Sequence, residues 1–238
     1  MKRREILEKI IHVFFPLKCR CCLKDIAFDS KDPFCPSCLK KLEEIKFPYC
    51  RLCGMALKAG GKYCFNCLKS GKKNFNFSRS AYMFEPVIRE VIHDFKYKGF
   101  WKLGEWLGLK MAEKMSFYGE FSGYDSLACI PLSSSKLRER GYNQSEILAL
   151  KISEENRIPF IKNALIKNKN TKSQAALSAK EREKNIRGAF LSYSKEVFAK
   201  KIILIDDVAT TLSTLNEAAS ALKIGGAAAV SCYTLARE

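Results

Sequence analysis

Hydrophobic positions along the chain change period several times, and each change predicts an element. Ile6, Leu7, Ile10, Ile11 and Phe14 recur at helical spacing and predict an amphipathic helix within residues 1–17. Residues 18–75 show little period, and the polar stretch Ser70-Gly71-Lys72-Lys73-Asn74-Phe75-Asn76 marks a domain boundary. Arg79–Phe84 then reads as a strand. Pro86 opens a helix to about Tyr97, with Val87, Val91, Ile92 and Phe95 as its buried stripe, and a second helix runs to about Met115. Leu127–Leu132 predicts a buried strand and Ser145–Glu155 a helix. Ile202–Ile205 is an unbroken aliphatic run, suited to a strand buried on both faces of a parallel sheet. The Ala-, Glu- and Leu-rich stretch after Thr214 suits a helix. Strands alternating with helices over residues 76–238 predict an α/β domain, a mostly parallel sheet with helices on both faces.

Composition adds a core and a charge. Of 238 residues 47% are hydrophobic, and the formal net charge is +17, of which residues 1–75 contribute +10 and residues 76–238 contribute +7. Such a balance points to phosphates or nucleic acid as partners. No apolar run is long enough to predict a membrane span. The basic start looks like a signal peptide, but Glu5, Glu8 and Lys9 interrupt any apolar core. The first helix therefore packs on the protein or lies on a membrane surface.

Eleven cysteines change the picture of residues 18–75. Cys19-x-x-Cys22 is followed by Cys35-x-x-Cys38, and Cys50-x-x-Cys53 by Cys64-x-x-Cys67. Each pair brings two thiolates to one ion from a tight turn, and four thiolates close a tetrahedral shell for Zn²⁺. The repeat predicts a small double zinc ribbon with two structural zinc ions, whose binding supplies the folding energy the weak apolar pattern lacks. The spacing leaves open how the four pairs combine into two sites. Cys21 competes with Cys22 by adjacency, whereas Cys129 and Cys232 lie in apolar runs and read as core. Each zinc tetrathiolate carries −2, so the module falls from +10 to about +6 and remains basic. Lys40, Lys41, Arg51, Lys58, Lys62, Lys69, Lys72 and Lys73, with Phe47, Tyr49, Tyr63 and Phe65 between them, fit a single-stranded nucleic-acid surface, or a solvated face over a small aromatic core.

Candidate chemistry gathers after the aliphatic run. Asp206 and Asp207 stand at the carboxyl end of the strand, where open α/β sheets bind ligands. Thr210, Thr211, Ser213 and Thr214 follow and open a helix; hydroxyls and free N–H groups there form an anion site. Adjacent acids beside an anion cradle suit vicinal hydroxyls and a phosphate, as in a ribose 5-phosphate. The simpler alternative is an Asp that turns the chain and a Thr that caps a helix. The order of run, acids, hydroxyls and helix favours the ligand site. Between Ser133 and Gln144, Lys136, Arg138 and Arg140 sit in a serine-rich turn that fits a pyrophosphate grip or a solvated loop. Thr171–Phe190 fits an active-site flap or an exposed helix. His93 has no Cys, Ser or His beside it and reads as a surface or packing residue.

The acid-and-hydroxyl stretch resembles the phosphoribosyl-pyrophosphate (PRPP) loop of type I phosphoribosyltransferases. The resemblance implies that Asp206 and Asp207 bind the ribose hydroxyls and that Thr210, Thr211, Ser213 and Thr214 bind the 5-phosphate. Leu212 stands where that family has glycine, which implies weak PRPP binding that Leu212→Gly strengthens. If the loop already holds the family's shape, the cost falls on stability instead. Pro131 followed by Arg140-Gly141-Tyr142-Asn143-Gln144, the segment Lys172-Ser173-Gln174…Arg182…Asn185…Gly188-Ala189-Phe190, and the Phe95-Lys96-Tyr97-Lys98-Gly99 box together resemble the ComF family of competence proteins over nearly the whole chain. That resemblance implies a phosphoribosyltransferase-like domain behind a double zinc ribbon, in a cytoplasmic protein that assists DNA uptake in natural transformation. It further implies a PRPP-like ligand with Mg²⁺, single-stranded DNA, and proteins of the uptake machinery as partners. By position, Arg138 and Arg140 flank the pyrophosphate loop, Lys136 stands where another arginine is expected, and Gln174, Arg182 and Asn185 match positions of unassigned role. Three readings stay open: a ligand-binding uptake factor, an active transferase acting on an amine or nucleobase, and a nucleic-acid-binding protein on a non-catalytic transferase fold.

Overall fold

The computed structural model describes residues 11, 15–58, 60–169 and 179–238, with backbone alone at 179, 180, 182 and 183. The amphipathic helix expected near the N-terminus falls almost wholly outside these residues, as do Gln174 and the first half of the expected flap.

Eight α-helices and six strands occur among the described residues. The strands are β1 (Ser78–Met83), β2 (Ser126–Cys129), β3 (Leu165–Lys167), β4 (Phe190–Ser192), β5 (Lys201–Ala209) and β6 (Ala229–Arg237). The helices are α1 (Pro36–Leu39), α2 (Phe65–Lys69), α3 (Pro86–Tyr97), α4 (Trp101–Met115), α5 (Ser134–Arg140), α6 (Gln144–Asn156), α7 (Ala179–Ile186) and α8 (Ser213–Ile224). The main sheet is wholly parallel, in the order β1-β6-β5-β2, while β3 and β4 form a separate antiparallel pair. An α/β fold on a parallel sheet, with an N-terminal cysteine-cluster module, is thus the architecture.

β5 explains the layering. Its side chains alternate across the sheet, as every strand's must. Ile203 and Ile205 join one buried core with Phe95, Leu107, Leu148 and Tyr233, beneath α3, α4 and α6. Ile202 and Leu204 join the other with Leu215, Leu222 and Val230, beneath α8. In α3 the buried stripe is Ile88, Val91, Ile92 and Phe95, at spacings of three and four, and Val87 lies one step round the helix, half-buried. The turn expected around Lys136 and Arg138 is a short helix, α5, closed by Gly141 at φ +79°. β6 was not foreseen: its Gly-Ala-rich approach has poor strand propensity, but burial between β1 and β5 overrides it.

The cysteine module is joined to the sheet rather than tethered beside it. The backbones of Leu52 and Glu43 accept hydrogen bonds from Ser78 N–H (2.7 Å) and Met83 N–H (2.8 Å), so the module covers the edge of β1. Gly54, at φ +70°, passes so close that a Cβ there would stand 2.7 Å from the Ser78 carbonyl oxygen. Arg79 fastens the joint. It is 3% exposed, lies against the rings of Tyr49 and Phe77, pairs with Glu120 at 2.6 Å, and donates to the carbonyl of Arg51 at 3.1 Å.

Replacing Arg79 by leucine strands these acceptors in a dry joint. The variant is expected to lose about 3 kcal/mol of stability in chemical denaturation. Faster hydrogen exchange along Ser78–Met83 would show that the module has come off the edge; unchanged exchange would show that Arg79 does not hold the joint.

Candidate functional site

The carboxyl ends of β5 and β2 open into a cleft of about 470 Å³. Asp206 and Asp207 leave β5 at its floor. Asp207 is 9% exposed and forms an ion pair with Lys96 of α3 at 2.7 Å. Asp206 accepts from Ser145 Oγ of α6 at 2.8 Å and from the Asp207 N–H at 2.9 Å. Burial, and then the neighbouring Asp207 charge, push the Asp206 carboxyl up to about 7. The two acids therefore differ: Asp207 is paired with a lysine, while Asp206 is held by a hydroxyl and a backbone N–H and titrates near neutrality.

Three short sequences set this geometry. In the Phe95–Gly99 box, buried Phe95 anchors α3 while Lys96, one residue on, reaches Asp207. In the Arg140–Gln144 stretch, Tyr142 donates to the Phe95 carbonyl, Asn143 donates to the Ile130 carbonyl at 3.0 Å and caps α6 at Ser145 N–H, and Gln144 accepts from Arg140 at 3.0 Å. That capping delivers Ser145 to Asp206.

The third is the loop from Val208 to Thr214. Leu212 sits at φ +65°, ψ 4°, the left-handed region, and its carbonyl accepts from Asn216 N–H at 2.8 Å to start α8. The loop thus already has the turn that glycine makes easy in the resembling family, and Leu212 bears the strain in the folded chain. Its side chain is 6% exposed and buried in the core beneath α8. Thr211 and Ser213 hydroxyls lie 3.0 Å apart, and Thr210, Thr211, Ser213 and Thr214 all line the cleft with the first turn of α8. Behind the loop, buried Arg237 of β6 donates to the carbonyls of Ala209 (2.8 Å), Thr210 (2.5 Å) and Glu238.

Opposite stand the cations. Arg89, Lys96, Lys136, Arg140 and Lys167 line the cleft against Asp206, Asp207 and Glu238, a positive balance. Arg140 lies 5.0 Å over the ring of Tyr97. Burial, and then the like charges of Arg140 and Lys96, lower the affinity of Lys136 for its proton. An anion placed here relieves that crowding. Arg138 is exposed and outside the cleft lining, so the structure groups Lys136 and Arg140 but not Arg138. His93 is exposed on the cleft's rim, 5.1 Å from the Tyr97 ring. Asn185 lies half-buried on α7, and the Arg182 side chain falls outside the described residues.

The cysteines fall into two sets, Cys19, Cys22, Cys35, Cys38 and Cys50, Cys53, Cys64, Cys67, each with its sulfurs within 4.8 Å of one another. This decides the pairing the spacing left open, and Cys21 belongs to neither set. Cys22–Cys35 and Cys53–Cys64 are both 3.6 Å apart. Sulfurs on a tetrahedral Zn²⁺ at roughly 2.3 Å stand about 3.8 Å apart, so both sets fit the ion. The repeat extends to the backbone: four residues after the first cysteine of each set, Leu23 and Gly54 take positive φ, and Cys35 and Cys64 precede short helices. The Ser37 hydroxyl at 3.0 Å, with the Cys38 N–H, lowers the Cys35 thiol to about 6, while burial and the neighbouring thiols raise Cys38.

Of the module's aromatics, Phe47, Tyr63 and Phe65 are exposed, so they do not form its core; Tyr49 packs against Arg79 and Tyr118. A second cavity of about 630 Å³ lies between the first cysteine set and the α3–α4 junction, and among its lining are Lys18, Arg20, Lys31, Phe100, Trp101 and Lys102. Arg20 stands 4.0 Å over the Phe100 ring.

Sequence reasoning missed Lys96, Ser145, Lys167 and Arg237 as site residues. Lys96 lay inside a singled-out box, and Arg237 was visible as a lone cation ending an apolar run. Nothing local marked Ser145 or Lys167.

Comparison with known proteins places these features together. The double zinc ribbon domain family matches residues 10–68. Competence protein F of Haemophilus influenzae is 32% identical over 230 residues, 94% of this chain and 98% of that protein. The DNA utilization protein YhgH of Escherichia coli K12 is 27% identical over 191 residues, 79% of this chain and 83% of that one. Among solved structures, glutamine PRPP amidotransferase from B. subtilis, complexed with ADP and GMP, aligns over 55% of this chain with a TM-score of 0.39 and 20% identity, and the aligned part spans 25% of that chain.

Asp206 carries a pH signature. Its folded value lies above the unfolded one near 3.9, so the stability it confers is fully present below about pH 4 and is lost as pH rises through about 7. Asp206→Asn keeps an acceptor for Ser145 and removes the penalty. Its stability relative to the native chain is expected to be higher at pH 8 than at pH 5, by denaturant titration at both; a gap that does not widen with pH would show that Asp206 is ionised without cost.

Proposed function

Because the chain belongs to the ComF family of competence proteins, we propose that it is a zinc-containing DNA-uptake factor that binds a PRPP-like phosphoribosyl ligand in the cleft. The observation that carries this reading is the run Asp206-Asp207-x-x-Thr210-Thr211-Leu212-Ser213-Thr214, preformed with a left-handed turn at the N-terminus of α8. Asp207 and, at neutral pH, the ionised fraction of Asp206 accept hydrogen bonds from the two ribose hydroxyls. The loop hydroxyls and the first N–H groups of α8 take the 5-phosphate. Lys136 and Arg140, on the facing α5, take the pyrophosphate, with Lys96 and Lys167 beside them.

The same layout is what a phosphoribosyl transfer needs, since its transition state is a cationic ribosyl ring leaving pyrophosphate. The acids stabilise the ring and the cations the leaving group. Mg²⁺, bound with the ligand, supplies further neutralisation of the pyrophosphate oxygens.

Single-stranded DNA is the second ligand of this proposal. Its support is the exposed Phe47, Tyr63 and Phe65 among lysines, and the second cavity, where Phe100 and Trp101 alternate with Lys18, Arg20, Lys31 and Lys102. Bases stack on such rings while cations track the backbone. The relative named for DNA utilization agrees with this. No helix among the described residues is long and apolar enough to cross a membrane, and the proposed setting is the cytoplasm, beside the uptake machinery.

PRPP with Mg²⁺ is expected to raise the melting temperature of the zinc-loaded protein. No rise at millimolar ligand would remove the phosphoribosyl reading. Leu212→Gly is expected not to tighten binding, since the loop is already turned, and to lower stability by about 2 kcal/mol, the lost buried side chain outweighing the relieved φ. Calorimetry and denaturation on both forms check the pair of outcomes; tighter binding by the glycine form would show that the turn is made only on binding.

Single-stranded DNA affinity is expected to fall linearly with log salt, by roughly 0.7 per phosphate contact, and Trp101→Ala is expected to weaken it without changing that slope. A flat salt response would retire the polynucleotide reading.

A further inference from the structure

The two cysteine sets are alike in sequence but not in surroundings. Cys19, Cys35 and Cys38 belong to the core beneath α4, where Phe34 lies 5.0 Å from the Trp106 ring and Trp106 Nε1 donates to Asp32 at 2.7 Å. Cys50 and Cys53 belong to the opposite core, which also holds Ala209, Leu212, Leu215, Ala218 and Ala219. Those five residues are the end of β5, the phosphate loop and the first turns of α8. The zinc sites therefore sit on opposite faces of the sheet, and only the second shares its packing with the loop that turns at Leu212.

Polar bonds run the same way. Past Cys67, the chain returns to the sheet through Asn74, whose N–H donates to Asn216 Oδ1 at 2.7 Å and whose side chain donates to the Asn216 carbonyl at 3.4 Å. Asn216 is the residue whose N–H closes the first bond of α8 onto Leu212. Asn76 N–H then bonds the Val230 carbonyl of β6 at 2.8 Å. From the other side, Arg237 clamps the carbonyls of Ala209 and Thr210.

We infer that the second zinc site, Cys50, Cys53, Cys64 and Cys67, is a positioning element for the phosphate loop, which it reaches through the core around Leu212 and the Asn74–Asn216 bonds. This rests on the phosphate-loop reading given above. It also accounts for leucine at a left-handed position: the side chain ties the loop to the face that carries the second zinc, which glycine would not do.

Coupling of this kind is reciprocal at equilibrium, so a ligand that the loop grips must tighten the zinc that shapes the loop. Ribose 5-phosphate is the probe, because it fills the ribose and phosphate positions without a pyrophosphate that would chelate zinc. The full-length, zinc-loaded protein is titrated with a chromogenic zinc chelator, with and without saturating ribose 5-phosphate. One of the two zinc affinities is expected to rise about fivefold or more, and the other to stay unchanged. Cys22→Ser, which keeps only the second zinc, should retain the rise, and Cys67→Ser, which keeps only the first, should show none. Leu212→Gly, still carrying two zinc ions, should show a smaller rise than the native chain. If calorimetry shows that ribose 5-phosphate binds and neither zinc tightens, or both tighten equally, the second site has no special hold on the loop and the inference is overturned. If ribose 5-phosphate does not bind the native protein at all, the phosphate-loop reading fails and this inference falls with it.

Discussion

Two carboxylates on consecutive residues, at the end of a strand buried on both faces, are an electrostatic liability. Water is scarce there, and neither charge screens the other. The structure meets this with a separate partner for each acid. Lys96 pairs with Asp207, while Asp206 takes a hydroxyl and a backbone N–H and is pushed up to about 7. Much else follows from that division. α3 must end where its lysine meets β5, so Phe95 is fully buried to fix its rotation. α6 must begin where Ser145 meets Asp206, so Asn143 caps it and Tyr142 ties its start to α3. The cleft exists because these helix ends converge on one strand end.

The loop from Val208 to Thr214 answers a second constraint. It must turn sharply from β5 into α8 while keeping its amides and hydroxyls toward the cleft. Glycine would make the turn without strain. Leucine makes it with strain and gains an anchor in the core below. The cost is already met in the folded chain, so it does not recur on ligand binding. Weak affinity therefore does not follow from Leu212, and the residue joins the loop to the lower core instead of marking decay of the site.

The cysteine module shows how a small unit with little apolar area is kept on a domain. Its folding leans on metal, but its position leans on the sheet: Arg79 in an aromatic sandwich, Gly54 against Ser78, and backbone bonds along the edge of β1. Covering that edge also removes unpaired N–H and C=O groups that would otherwise seek another chain. The module is thus a lid on one edge of the sheet as well as two metal sites.

Much of this was legible without coordinates. Cysteine spacing is a local property, so Cys19 through Cys67 declared two four-thiolate sites; only folding showed which pairs share an ion, because identical spacings cannot rank combinations. Ile202–Ile205, the acids and the hydroxyls are contiguous, so a buried strand running through a hydroxyl-rich loop into a helix could be read from order alone. Pro86 and the spacing of Val91, Ile92 and Phe95 placed α3 within a residue, and missed only that Ile88 rather than Val87 completes its stripe. What the order of residues could not hold were contacts made across the sheet. Lys96 meets Asp207 across 111 positions and Ser145 meets Asp206 across 61; the box around Lys96 stood out without naming its partner, and nothing local marked Ser145. β6 was hidden because the glycines and alanines that lead into it, Gly225 to Ala229, favour no strand and mask the run that follows. The backbone angle at Leu212 was hidden as well, since a side chain's name states what a turn would cost and not whether the fold has already met it. The two zinc sites, nearly one sequence written twice, came to lie on opposite faces of the sheet because β1 takes its place between them, and that is a decision of packing alone.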